Sequence, residues 1–172
     1  TWPNPPTEQR TLRIGLVSGD LRNHPVGYFL QPVLSAWAGS AADKVDVFAY
    51  ANQRQGDALT QALRSKCRQW HDVADMDDAT LAGCVRADGI DVLIDLAGHT
   101  RHNRLPLFAW RPAPVQVSWL GYCATTGMAA IDAFMGDPWI TPASCELVFV
   151  ERIVHLPETF LCFTPPTVDL PV

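Results

Sequence analysis

Several common signatures are missing from this chain. No apolar run approaches the roughly 18 residues of a membrane span, so the sequence gives no ground for a membrane protein. The five cysteines, Cys67, Cys84, Cys123, Cys145 and Cys162, are odd in number and include no CxxC pair. That disfavours a disulfide framework and a structural zinc site, and free thiols in a reducing cytoplasm are the expectation. Positive charge is scarce: 13 Lys and Arg stand against 18 Asp and Glu, a net charge of −5. The basic residues are also scattered, so there is no electrostatic footprint for nucleic acid. The first ten residues, "TWPNPPTEQR", lack the apolar stretch of a signal peptide. No GxxxxGK[ST] phosphate loop is present, and Gly15, Gly19 and Gly27 have the wrong spacing for a GxGxxG fingerprint.

What is present fits one globular domain. The chain has 172 residues, 48% of them hydrophobic and 18% charged, enough for a substantial core. Both ends are Pro-rich. Residues 1–11 and 164–172 read as linkers around a body at 12–163, which predicts a piece of a longer protein. Along the body, short apolar runs alternate with helix-like stretches. Strands are expected at Arg13 to Asp20, Val45 to Ala51, Arg68 to Val73, Ile90 to Gly98, Val115 to Tyr122 and Ile131 to Asp137, with an extended piece at Arg152 to Pro157. Between them, Phe29, Val33 and Trp37 form a helical stripe in which Pro32 predicts a kink or a delayed start. Asp57 and Asp77 look like helix caps, and Gly89 a helix stop. Alternating apolar strands and helices with short connections predict a doubly wound, mainly parallel Rossmann-like α/β sheet.

In such sheets ligands bind beyond the carboxyl ends of the strands. Three polar loops fall there: "SGDLRNHPVG", "GHTRHN" and "GYCATTG". Together they gather Asp20, Asn23, His24, His99, Thr100, His102, Tyr122, Thr125 and Thr126 at one edge. Each loop alone also reads as an ordinary turn, with Asp20 and Asn23 as capping residues and Pro25 as a first helical residue. His71 and His155 lie in or beside strands and read as structural. The stretch "HDVADMDD" matches neither HExxH nor an EF-hand loop, and a capped helix start explains it better.

Three segments together carry a family resemblance: "RIGLVSGDLRNHPVGYFLQPVL", "DGIDVLIDLAGHTRHNRLPLFAWRPAPVQVSWLGYCATTG" and "IDAFMGDPWITP". They resemble the first catalytic lobe of the O-GlcNAc transferase and SPINDLY-like glycosyltransferases, from about Arg13 to Phe163. The resemblance implies the N-terminal Rossmann-like half of a two-lobed GT-B enzyme, with a missing C-terminal lobe and tetratricopeptide repeats upstream. It implies inverting transfer of a sugar from a nucleotide-sugar to Ser or Thr hydroxyls of proteins, with no metal or other cofactor. The implied donor is UDP-GlcNAc, or GDP-fucose as in plant SPINDLY. Carried over by residue, His24 in "NHP" matches the active-site histidine, flanked by Asn23 and Pro25. His99 and Thr100 match the loop lining the acceptor and sugar. Leu120, Gly121 and Tyr122 match the segment bordering the donor sugar, and Thr125 and Thr126 the loop after it. The chain departs from the family where Cys123-Ala124 replaces a usual Pro-Gly, and where His99 replaces a usual aromatic residue.

An imidazole with an ordinary pKa of about 6.5 can take the proton of an attacking hydroxyl or orient acceptor and donor, and both roles stay open for His24. The leaving diphosphate would be held by the missing lobe, so this half alone is expected to be inactive. A second reading is a non-catalytic α/β module that binds a protein or peptide at the same edge. A third is a small metal-dependent hydrolase using His24, His99 and His102.

Overall fold

The computed structural model describes residues 2, 4 and 10–164. Seven strands form one sheet, and every pairing is parallel. They are β1 (Leu12–Ser18), β2 (Val45–Ala51), β3 (Gln69–Asp72), β4 (Val92–Asp95), β5 (Val115–Ser118), β6 (Ala133–Gly136) and β7 (Arg152–His155), in the order β3-β2-β1-β4-β5-β6-β7. The chain winds one way from β1 through β2 to β3. It then returns to β4 on the other side of β1 and winds outward. Helices α1 (Pro25–Ser40) and α2 (Ala58–Arg64) cover one face, and α3 (Asp78–Ala87) and α4 (Leu105–Ala109) the other.

The inner strands are largely apolar on both sides because both faces are covered, while edge strands β3 and β7 carry polar, partly exposed residues. In β1, Ile14 and Leu16 enter the core beneath α1 and α2 with Leu30, Leu34 and Leu63, while Val17 enters the opposite core with Leu81, Val85 and Phe108. The sequence had no interior position in this strand to leave polar. Most expected elements are found, and the differences have local causes. Every strand but β2 runs shorter than expected, β4 and β5 most of all: β4 ends where the Asp95 side chain takes the Ala97 and Gly98 amides, and β5 ends where Leu120 turns left-handed at φ 78°. The extended piece at Arg152 is a true seventh strand, paired to β6 from Ala133↔Arg152 to Gly136↔His155.

Helix α1 begins at Pro25 and passes through Pro32. Pro32 removes the N–H that would bond the Tyr28 carbonyl, but Tyr28 lies on the exposed side, where water can satisfy it. The caps are where the sequence puts them. Asp57 accepts from the Thr60 amide at 2.9 Å and the Asp57 amide donates in turn to the Thr60 hydroxyl, a reciprocal capping box. Asp77 accepts from the Thr80 amide at 2.7 Å.

Most of the two stretches read as linkers lies outside the described residues. Within the first, Trp2 donates to the Arg111 carbonyl, and Asn4 donates to Asp91 at 2.8 Å. Arg10 closes a bidentate pair on Asp91, which also accepts from the Arg13 amide at 2.9 Å. Burial alone would raise the Asp91 carboxyl; Arg10, the Arg13 amide and Asn4 outweigh it and hold it below the ordinary carboxylate range. A carboxylate depressed in the folded state contributes stability above its unfolded pKa and loses it as pH falls through the folded value. We therefore expect Asp91→Asn to lower Tm at neutral pH and to flatten its fall below about pH 4. A thermal melt series from pH 7 to pH 2 checks this; identical acid limbs in the two proteins refute it.

Candidate active site at the β1/β4 switch point

The winding direction reverses between β1 and β4, so the loops after these strands diverge to opposite faces and leave a crevice at their carboxyl ends. Those loops are "SGDLRNHPVG" and "GHTRHN". The loop after β5, "WLGYCATTG", lies beside the second. The three polar loops thus share one edge.

In the first loop, the Ser18 hydroxyl accepts from the Asp20 amide at 2.9 Å, and buried Asp20 faces Arg22 at 3.2 Å and His24 Nε2 at 3.9 Å. His24 is the N-cap of α1, and its Nδ1 accepts from the Val26 amide at 3.3 Å. Pro25 needs no donor partner as the first helical residue. With its Nδ1 lone pair so used, a neutral imidazole carries its proton on Nε2, the nitrogen nearer Asp20. The side chain is 39% exposed, so a ligand can reach it. Asn23 is held from both sides: its amide donates to Asp57 at 2.6 Å, and its side-chain oxygen accepts from the Tyr28 hydroxyl at 3.0 Å.

In the second loop, Asp95 ends β4 fully buried. It accepts from the Ala97 amide at 3.1 Å, the Gly98 amide at 2.8 Å and the Ser118 hydroxyl of β5 at 2.9 Å. Burial dominates and pushes its carboxyl upward despite these donors. The Thr100 hydroxyl is spent on the Ala97 carbonyl at 2.8 Å. His99 projects from this frame and meets Tyr122 edge-on, with ring centres 6.0 Å apart. Leu120 is buried at φ 78°, a conformation that costs free energy in a non-glycine residue and concentrates at functional sites. Gly121 is forced by space: a Cβ there would lie 2.3 Å from the Leu96 carbonyl oxygen.

The loops also lock together. A Cβ on Gly19 would lie 2.6 Å from the Cβ of His102, itself at φ 65°. Asn52, just after β2, donates its backbone amide to Ser18 and its side chain to the His102 carbonyl, and accepts from Arg104. A cleft of about 300 Å³ opens beside this junction, lined by Gly19, Arg22, Asn52, Gln53, Arg54 and His102 among others.

The structure therefore places His24, His99 and Tyr122 on one edge with accessible side chains. Among the described residues, no hydrogen bond, ion pair or ring contact joins His24 to His99 or Tyr122. Nor do His24, His99 and His102 converge into a metal-ligating group there, which removes the support for a hydrolase built on them. Thr125 and Thr126 direct their hydroxyls at Glu151, with the Thr125 bond 2.6 Å long and the Thr126 amide donating at 2.7 Å.

The sequence reading passed over Asp95, Ser118 and Glu151. The first two had a signal, a polar residue closing an apolar strand. Glu151 had none, because its partners lie 25 and 26 residues away. Removing Glu151 leaves a buried Thr126 donor unpaired, so Glu151→Ala should cost about 1–3 kcal/mol. Amide exchange at Thr126 should accelerate; unchanged exchange and Tm would show that Glu151 does not hold this loop.

Comparison with known proteins agrees with the geometry. Residues 3–164 match the model of glycosyl transferase family 41. A probable UDP-N-acetylglucosamine–peptide N-acetylglucosaminyltransferase SPINDLY of Petunia hybrida is 39% identical over 169 residues, covering 96% of this chain and 18% of the petunia protein. A UDP-N-acetylglucosamine–peptide N-acetylglucosaminyltransferase of Caenorhabditis elegans is 34% identical over 151 residues, covering 87% of this chain and 13% of its own length. Among solved structures, a mutant O-GlcNAc transferase of Thermobaculum terrenum superposes with TM-score 0.87 at 47% identity, covering 94% of this chain and 30% of that one. The chain spans less than a third of each.

Proposed function

The chain belongs to glycosyl transferase family 41, and from that premise we propose that residues 12–163 are the N-terminal catalytic lobe of an inverting protein O-glycosyltransferase. The donor is UDP-GlcNAc, with GDP-fucose as the alternative, and the acceptors are Ser and Thr hydroxyls of proteins. A C-terminal lobe completes the site and holds the nucleotide diphosphate. Tetratricopeptide repeats precede the lobe, and the whole works in the cytoplasm. Among the described residues no helix is long and apolar enough to cross a membrane.

The observation that carries the reading is the pairing of "NHP" with "GHT" and "WLGY" across the β1/β4 switch point, on a fold shared with an O-GlcNAc transferase. In this reading His24, Asn23 and Pro25 form the acceptor side, His99 and Thr100 line the acceptor and sugar, and Leu120, Gly121 and Tyr122 border the donor sugar. Thr125 and Thr126 shape the next loop through Glu151.

The cap geometry favours one of the two roles open to His24. A base acting at Nε2 needs its proton on Nδ1, where the Val26 amide already donates. His24 thus acts as an Nε2–H donor that orients acceptor or sugar oxygens, with the Asp20 carboxylate 3.9 Å from the same nitrogen.

The test is transfer by this chain joined to the lobe that follows it, assayed with UDP-GlcNAc and GDP-fucose on protein acceptors. Transfer by the joined protein and none by the fragment supports the reading. No transfer by the joined protein favours a binding module instead. Asn is a good helix cap, so His24→Asn keeps the start of α1 while removing the imidazole. We expect an unchanged Tm and a loss of about a hundredfold in kcat/KM, the size of effect that mispositioning causes. Wild-type kcat/KM in this variant would remove His24 from the mechanism.

A further inference from the structure

Away from the switch point, four side chains converge between β2, β3 and α3. His71 Nε2 lies 2.8 Å from Asp88 Oδ2, and the Cys84 sulfur lies 3.9 Å from both His71 Nε2 and Asp88 Oδ2. The Tyr50 hydroxyl donates to Asp88 at 2.7 Å, and its ring stacks on His71 with centres 5.2 Å apart and planes 4° from parallel. Cys84 and Asp88 are four residues apart and so share one face of the helix and its cap. His71 reaches them from edge strand β3. Among the described residues this is the group whose His, Cys and carboxylate ligand atoms all lie within 4.8 Å of one another.

We propose that His71, Cys84 and Asp88 form a binding site for a thiophilic divalent ion of the Zn²⁺ class, independent of sugar transfer. These separations fit one metal centre. A single point lies about 2.05 Å from Nε2 and Oδ2 and about 2.3 Å from the sulfur, close to the plane of the three atoms, and these are ordinary zinc bond lengths. The Tyr50 hydroxyl then plays the orienting part that an outer partner plays for a ligating carboxylate. His71 and Asp88 retain 18% and 13% side-chain exposure, so the ion has a route in and water can take a fourth position.

A nucleophilic triad fits the same atoms less well. The sulfur is almost equally far from both ring nitrogens, 3.8 and 3.9 Å, and so is not aligned on either lone pair. Burial and Asp88 also push the Cys84 thiol upward, away from thiolate. A metal would tie edge strand β3 to the end of α3, so its effect is on stability.

The experiment uses the full 172-residue chain, stripped with chelator, loaded with Zn²⁺ and dialysed. Wild type should retain one equivalent and gain several degrees of Tm by linkage. Cys84→Ser and His71→Gln should each bind at least about tenfold more weakly, while Cys123→Ser and Cys162→Ser match wild type. As a check that needs no variant, Zn²⁺ should slow alkylation of Cys84 about tenfold or more, leaving exposed Cys123 and Cys162 unaffected. No retained ion in wild type, full retention in both ligand variants, or an unchanged alkylation rate at Cys84 overturns the proposal.

Discussion

The candidate site depends on one buried carboxylate. Asp95 sits at the end of β4 with no exposed surface and three donors: two amides of its own loop and a hydroxyl of the next strand. A carboxylate in such a place is costly, and burial shifts its proton affinity accordingly. In return it stops β4, bends the chain toward His99 and ties that bend to β5. The Leu96 carbonyl then lies against Gly121, which leaves no room for a side chain there, and Leu120 takes a left-handed turn. Tyr122 is delivered to the rim beside His99 as a result.

The opposite side of the crevice is built by different means. Its buried carboxylate, Asp20, is paired with Arg22 at 3.2 Å. The loop after β1 is held by ordinary caps, with His24 on α1 and Asp57 serving both α2 and the Asn23 amide. A single residue type thus does two jobs in each case. The cap that starts α1 also fixes which nitrogen of His24 carries the proton, and the cap that starts α2 also fixes the backbone one residue before His24.

The fold was largely legible in the sequence because its inner strands are buried on both faces. Continuous apolar runs such as "RIGLV" and "VDVFAYA" then separate cleanly from polar loops, and Asp57 and Asp77 announce the helices that follow. Strand ends were less legible. They depend on where a side chain such as Asp95 captures the backbone, and on a positive φ at Leu120 that no sequence pattern for leucine signals. Within the site, the edge and its three loops could be read from topology alone. The engagement of Thr125 and Thr126 by Glu151 could not, because it joins residues 25 and 26 positions apart across the β5–β6 connection and the start of β7. Likewise His71 looked structural beside a strand, and only the return of α3 brings Cys84 and Asp88 to it.

Asn52 has a further significance. Its backbone and side chain reach Ser18, His102 and Arg104, and Arg104 in turn holds Asp78 and the Met76 carbonyl. The end of β1 and the segments that follow β2, β3 and β4 are therefore bolted to a common point. Evolution cannot easily remodel one of them to suit a new substrate, since a change in its length or path strains the rest. His99 and Tyr122, which meet edge-on at the rim, stand outside this set of ties.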